Sequence, residues 1–196
     1  MMKAATARAF DGIGGRDTFS SPWMRFELSP DSRVFIDLRA TGLLRAVGHD
    51  PTLSARPEPT SLDLEDGEVV VRFQVADIEP QGDLTESDRR KMTDNMRSAE
   101  VLDAQRFPVI EVRARYEGTA EGGELRGELV VRGQPRRFAA TVRATKQWDV
   151  IVAAATWEAK LTDLGIKPFK ALLGALKLEN WIRLRMEARF KRPSTP

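Results

Sequence analysis

Apolar and polar side chains alternate residue by residue over several long stretches of this chain, and this period of two constrains the fold more than any other feature. The clearest stretch begins at Ile110, where Ile110, Val112, Ala114 and Tyr116 alternate with glutamate and arginine. Successive side chains of a strand point to opposite faces of its sheet, so this spacing predicts a half-buried strand. A chain built largely from such stretches must bury one face of a sheet.

Further stretches of this kind are separated by Gly, Pro, Asp or Asn, which is typical of a meandering antiparallel sheet. They lie at residues 33–40, 69–75, 125–131, 136–144, 149–161 and 181–190. The four residues from Arg132 to Pro135 predict a hairpin turn in which Gly133 takes a positive φ and Pro135 stays out of the ladder. About eight strands predict a closed antiparallel barrel, because closure removes unpaired edges; a two-sheet sandwich is the alternative.

Two segments have helical rather than alternating patterns. Thr85 offers an N-cap hydroxyl, and Met92 and Met96 follow on one face at a spacing of four. We predict a helix there with the methionines as its packing face; a flexible lid over a barrel mouth is the alternative. Residues 168–176, with Pro168 near the first turn, predict a second, shorter helix. The expected fold is mainly β, with one or two short helices.

The length of 196 residues fits one domain. Residues 1–20 are rich in Gly and Ala without clear periodicity, so we predict a poorly ordered lead-in before a β domain at 21–192. No apolar run approaches the roughly 18 to 20 residues of a transmembrane span, and charge interrupts the amino terminus before a signal peptide could form, which predicts a cytoplasmic protein. The balance of 31 basic and 29 acidic residues argues against a dedicated nucleic-acid binder.

The chain has no cysteine and one histidine, His49, and these counts exclude several kinds of site. Without cysteine there is no disulfide, thiolate nucleophile or cysteine-bound metal, and one imidazole excludes the usual zinc sets. His49 beside Asp50 is expected to be a turn residue; an enzyme that uses both on a lipid substrate is the least favoured hypothesis. We predict no catalysis, metal or cofactor.

The inward faces of the predicted strands supply the candidate ligand-contacting residues. Packing of these side chains on one another is the alternative for each of them. The small residues Ala153, Ala154, Ala155 and Ala159 favour a cavity, because a barrel filled by its own side chains needs bulk in several layers. The candidates are Val34, Ile36, Leu38, Val71, Phe73, Ile110, Val112, Ala140, Val142, Ala155, Trp157, Ile182, Leu184 and Met186.

Several short motifs, taken in this order and spacing, resemble the YceI family of lipocalin-like proteins. The resemblance extends from about Phe26 to Phe190. The motifs are Phe26-Glu27-Leu28-Ser29-Pro30-Asp31-Ser32, Val47-Gly48-His49-Asp50, Met96-Arg97 with Leu102-Asp103, Arg106-Phe107-Pro108-Val109-Ile110, Gly127-Glu128-Leu129-Val130-Val131-Arg132-Gly133 and Thr162-Asp163-Leu164-Gly165-Ile166.

The resemblance implies an extended lipocalin-type barrel whose apolar bore holds a long isoprenoid or other lipid tail, without catalysis and often as a homodimer. Ala40 stands where the family often has a histidine, so a polar contact made there is missing. We therefore expect non-enzymatic binding or carriage of an isoprenoid, quinone-like or fatty-acyl lipid. A structural or protein-interaction module with a side-chain-filled core is the alternative.

Two smaller expectations concern polar residues. Asp163 is expected to fix its turn by accepting backbone hydrogen bonds. A solvated strand face is expected for Arg183, Arg185 and Arg189, which have Lys167, Lys170 and Lys177 nearby in the sequence. Attraction of a phosphate head group or transient contact with an anionic membrane surface is the alternative.

Overall fold

A computed structural model describes residues 25–41, 50–64, 66–168, 170–171 and 176–193. The predicted lead-in at 1–20 and His49 lie outside these described residues. Over the described part, the chain forms twelve strands and one α-helix, α1 (Glu86–Arg97). The strands are β1 (Arg25–Leu28), β2 (Arg33–Thr41), β3 (Thr52–Ala55), β4 (Ser61–Asp63), β5 (Glu68–Gln74), β6 (Glu79–Pro80), β7 (Val109–Thr119), β8 (Gly122–Val131), β9 (Gln134–Gln147), β10 (Val150–Ala159), β11 (Lys170–Ala171) and β12 (Leu176–Lys191).

All of these strands join one antiparallel sheet, whose main path is β5-β7-β8-β9-β10-β12-β2-β3-β6. The long strand β12 has two neighbours on one side: Arg183 is the Cα partner of Asp37 on β2, and Phe190 is the partner of Leu28 on β1. β1 in turn pairs with β4. The sheet curls around an apolar core into a lipocalin-like barrel, which confirms the predicted fold class.

The curl closes where the segment between β3 and β4 passes beside β5. Glu58 N donates to Arg72 O at 2.8 Å, and Thr60 Oγ1 donates to Val70 O at 2.9 Å. The Gln74 amide adds a bond of 2.6 Å to the Glu58 carboxylate. This seam, formed by residues 56–60 and β5, has one backbone hydrogen bond among the described residues, whereas β5 pairs with β7 along its whole length.

The helix α1 forms where the sequence predicts it. Thr85 caps it, because its Oγ1 accepts a hydrogen bond of 3.1 Å from Asp88 N. Met96 is buried and Met92 packs against the core, which confirms the predicted packing face. No helix in the described ranges is long and apolar enough to cross a membrane.

The predicted second helix is wrong where the structure describes it. Lys170–Ala171 form β11, which pairs with the start of β12, and β12 already begins at Leu176. Residues 169 and 172–175 lie outside the described part. A helix this short is marginal in water, whereas pairing with a neighbouring strand satisfies the backbone directly.

The β8–β9 hairpin is tighter than the sequence predicts. Its turn consists of Arg132 and Gly133 alone, with φ values of 51° and 70°, as a two-residue type I′ turn requires. Gly133 takes the predicted positive φ. Pro135, expected outside the ladder, lies within β9 opposite Val130, where its side chain is exposed.

Candidate ligand-binding site

The concave face of the sheet lines a cavity of about 300 Å³ whose wall is almost wholly apolar. The structure places all fourteen candidate residues on this wall and so brings the predicted set together. Whether they contact a ligand stays a prediction. They are Val34, Ile36, Leu38, Val71, Phe73, Ile110, Val112, Ala140, Val142, Ala155, Trp157, Ile182, Leu184 and Met186.

The register of the sheet explains how residues distant in sequence meet on the wall. Val34 on β2 is the Cα partner of Met186 on β12, Met186 is the partner of Ala155 on β10, and Ala155 is the partner of Val142 on β9. Side chains at the same register position of adjacent strands point to the same face. One cross-strand row therefore supplies four of the candidate residues.

A row of alanines leaves space in the cavity. Ala153 is the Cα partner of both Ala144 and Ala188, and all three line the cavity. A methyl group reaches less far into the bore than a branched or aromatic side chain, so the wall recedes here. Ala154, expected to contribute to the same space, is exposed. It alternates along β10 with the inward-facing Ala153 and Ala155, so its side chain points outward.

One end of the cavity is covered by side chains from α1, from the loop after it and from the 3-10 turn Leu161–Leu164. Met96 comes from the helix, Leu102 from the loop, and Leu164 and Ile166 from the turn and its exit; all four are buried and line the cavity. They form a continuous apolar cover at this end.

Arg132 at the β8–β9 turn ties the two parts of this cover together. Its Nη2 donates to Ala99 O at 3.1 Å, and its Nη1 donates to Val101 O at 3.2 Å and to Gly165 O at 3.5 Å. One guanidinium thus binds carbonyl oxygens of both covering segments. It positions Leu102 and Ile166 over the cavity without lining it.

Alternation along the sequence missed the lining residues that come from loops and short strands. Leu53 on the four-residue β3, Leu102 and Ile166 belong to segments too short or too irregular to show a period. Leu129 and Phe138 also line the cavity, and extending the same alternation along β8 and β9 identifies both.

Tyr116 is a polar residue on the wall at the other end of the cavity. Its hydroxyl donates to Thr119 O at 2.5 Å. Burial, together with the negative charge of Glu121, raises the pKa of Tyr116 above its ordinary value, so the phenol stays neutral. Tyr116 therefore lines the cavity as an uncharged residue whose hydroxyl is engaged with the Thr119 carbonyl oxygen.

Asp50 and Asp163 are two acidic residues for which the sequence predicts a role in a turn. The Asp50 carboxylate accepts a hydrogen bond of 3.0 Å from Ala40 N and so caps the end of β2. The prediction for Asp163 is wrong: its exposed side chain makes no hydrogen bond in the described part of the chain. Asn180 fixes that turn instead, accepting from Thr162 N at 3.0 Å and donating to Thr162 Oγ1 at 2.9 Å.

The described residues contain no cluster of His, Asp and Glu suited to a metal ion. Many of the outward charges form ion pairs with one another. Arg185 donates to the Asp37 carboxylate at 2.6 and 3.1 Å, and these bonds lower the pKa of Asp37 although partial burial opposes them. Charge is concentrated on the outer face, and the bore is left apolar.

Comparison with solved structures reveals the same fold at low sequence identity. BcnA of Burkholderia cenocepacia matches with a TM-score of 0.56 at 10% identity, covering 81% of this chain and 95% of that one. The YCEI protein of Campylobacter jejuni, whose crystals have large solvent channels, matches with a TM-score of 0.51 at 15% identity, covering 72% and 82%. A mutant of that protein with a monobromobimane guest matches equally well.

Sequence comparison identifies the family. No curated protein sequence matches this chain. A family model, the YceI-like domain, matches residues 38–190, which include every strand from β3 to β11, the last four residues of β2 and all of β12 except Lys191. The chain therefore belongs to the YceI-like family.

Proposed function

We propose that this chain binds and carries a long apolar ligand of isoprenoid, quinone-like or fatty-acyl type inside its barrel, without catalysing a reaction on it. One observation carries the proposal: a cavity of about 300 Å³ runs along the inner face of the sheet and is walled by apolar side chains. Membership of a family of ligand-binding β-barrels supports it.

The chemistry of the wall favours a slender hydrocarbon tail. Small-molecule sites usually have volumes of about 300 to 1,000 Å³, so the volume of this cavity is at the small end of the range. Each buried methylene contributes about 0.8 kcal/mol, so a tail of about ten methylenes contributes about 8 kcal/mol before the cost of immobilising it. Few polar contacts are then needed, and we expect selection by width and length rather than by head group.

Native mass spectrometry of the freshly purified full chain tests the proposal. We expect a stoichiometric mass increment, and solvent extraction identifies its lipid class. In a second arm, protein freed of lipid is incubated with a C15 prenol or with oleic acid, and we expect a one-to-one complex. An unliganded mass in both arms would contradict the proposal and favour a side-chain-filled interaction module.

The homodimer, the cytoplasmic location and the domain boundaries at 21–192 stay predictions. Sedimentation equilibrium measures the oligomeric state, and cell fractionation measures the location. Limited proteolysis followed by mass analysis measures the domain boundaries.

A further inference from the structure

A patch on the outer face of the barrel exposes large apolar side chains. It is formed by the β9–β10 hairpin and the adjoining end of β12. Trp148 at the hairpin tip is 93% exposed and Val152 is 44% exposed, with the half-buried Val150 between them. Outward positions of a sheet are usually polar, so this grouping calls for an explanation.

Cations flank these apolar residues on both neighbouring strands. On the neighbouring strands, Lys191 is the Cα partner of Val150, Arg189 is the partner of Val152, and Arg143 is the partner of Ala154. All three cations are exposed, and within the described ranges none forms an ion pair with a carboxylate.

The acidic residues that border the patch leave its cations available. Glu187 precedes Arg189 by two residues on β12 and forms an ion pair with Arg185, with 3.7 Å between Glu187 Oε1 and Arg185 Nη1. Glu27 lies opposite Lys191 on the side away from the valines. The three cations therefore face outward around an apolar centre, and in the described ranges none of them forms an ion pair with these two glutamates.

The turn that carries Trp148 is held by contacts to Arg192. Trp148 has a φ of 54°, a region in which a large L-residue is strained. Arg192 braces the turn, because its backbone N–H donates to Asp149 O at 2.9 Å and its guanidinium lies 3.3 Å from the Asp149 carboxylate. The residue that follows β12 thus holds the turn, and the Trp148 side chain at its tip is exposed to solvent.

We propose that this tip patch, made of Trp148, Val150 and Val152 with Arg143, Arg189 and Lys191, docks on an anionic lipid bilayer. Indole groups favour the boundary between hydrocarbon and water, and each Lys or Arg near an anionic lipid surface strengthens binding about fivefold. An apolar centre ringed by unpaired cations matches a surface that offers both acyl chains and phosphate groups.

The position of the patch gives docking a consequence. The inner faces of the same strands line the cavity through Ala144, Ile151 and Ala153. Docking would bring this wall of the cavity to a membrane, where apolar ligands are concentrated. That consequence rests on the proposed function, whereas docking itself does not.

Co-sedimentation of the full chain with large vesicles tests the docking. Vesicles of phosphatidylglycerol and phosphatidylcholine in equal parts are compared with vesicles of phosphatidylcholine alone. We expect salt-sensitive binding to the first and little binding to the second. Replacing Arg189→Gln together with Lys191→Gln should weaken binding to the anionic vesicles about 25-fold, and Trp148→Ala should weaken it further.

A matched control removes the same charge elsewhere. Arg115 on β7 and Arg137 on β9 are exposed strand arginines outside the tip patch. Arg115→Gln with Arg137→Gln should change vesicle binding no more than about threefold, since it alters net charge without touching the patch. Circular dichroism and thermal melting verify that every variant is folded.

Several outcomes would overturn the proposal. These are absence of binding to anionic vesicles at low salt, equal binding to neutral vesicles, and equal loss in the patch and control variants. Tighter binding to duplex DNA or to an acidic protein would assign the patch to another partner, and burial of Trp148 in a lipid-free dimer would assign it to a second copy. Native mass spectrometry of the same variants reports cavity occupancy separately, so a failure of docking is distinguishable from a failure of ligand binding.

Discussion

Ala155 is the residue at which the ligand-binding proposal is most directly testable. It lines the cavity in a cross-strand row with Val142 and Met186. We expect Ala155→Trp to fill the bore and abolish ligand occupancy in native mass spectrometry, at a cost of about 1–3 kcal/mol of stability from overpacking.

The adjacent residue provides the control for this substitution. Ala154 is exposed on the same strand, so Ala154→Trp adds the same side chain outside the barrel. It should leave occupancy unchanged and alter stability by no more than about 0.5 kcal/mol. A folded Ala155→Trp protein that retains its ligand would place the binding site elsewhere.

Asp37 makes stability depend on acid pH. Hydrogen bonds from Arg185 lower its pKa in the folded protein, and a bond of 3.0 Å from Thr52 Oγ1 adds to this effect. Because the folded pKa lies below the unfolded value of about 3.9, the contribution is complete above that value and is lost as the pH falls through the folded pKa. We expect Asp37→Asn to cost about 1 kcal/mol at pH 7.

Urea unfolding at two pH values measures this contribution. The difference between the wild type and Asp37→Asn should shrink from pH 7 to about pH 3, since the carboxyl group becomes protonated. A difference that does not change with pH would show that the charge of Asp37 is irrelevant and that only its packing counts.

At the scale of elements, one arginine joins the two segments that cover the cavity. Arg132 binds carbonyl oxygens of the loop after α1 and of the turn after β10. We expect Arg132→Lys to lose most of these bonds, because an ammonium cannot bind so many acceptors from one position, at a cost of about 2 kcal/mol.

Hydrogen exchange localises the effect of this substitution. The amides at 98–104 and 164–166 should exchange faster in Arg132→Lys, and bound ligand should leave faster. Arg137→Lys, an exposed change on the same strand pair, should do neither. Unaltered protection of both segments would mean that apolar packing alone holds the cover in place.

The elements that could be predicted from the sequence are those long enough to show a period. β7, β10 and β12 repeat the alternation over ten residues or more. Every second residue on these strands points inward, and this spacing identifies their cavity residues. β4 and β6 have three residues or fewer, too few for a period. Leu102 and Ile166 lie on irregular backbone, where spacing carries no information about direction.

At the scale of the whole molecule, the closed barrel could be predicted but the strand pairing that closes it could not, because a period of two reveals which face a side chain occupies but not which strand lies beside it. Nothing in the alternation of β12 indicates that β2 pairs with its middle and β1 with its end. The seam beside β5 follows from this arrangement and depends on an irregular segment that, among the described residues, makes a single backbone hydrogen bond to β5, from Glu58 to Arg72.

This sparsely bonded seam leads to a prediction for the whole barrel. A ligand that binds only the closed barrel stabilises it by about 2.7 kcal/mol at one hundred times its dissociation constant. For a chain of this size, that corresponds to a rise in melting temperature of about 5–10 °C between the lipid-free and the loaded protein.

The same ligand should act unevenly on hydrogen exchange. Opening of the seam breaks one backbone bond at Glu58, whereas opening of the β8–β9 pair breaks a long ladder, so the Glu58 amide reports local opening. We expect ligand to slow exchange at Glu58 strongly and at Leu129 little, when both are measured under conditions where global unfolding is rare. Equal protection at the two sites would mean that the barrel opens only as a unit, and the seam would then have no independent part in admitting the ligand.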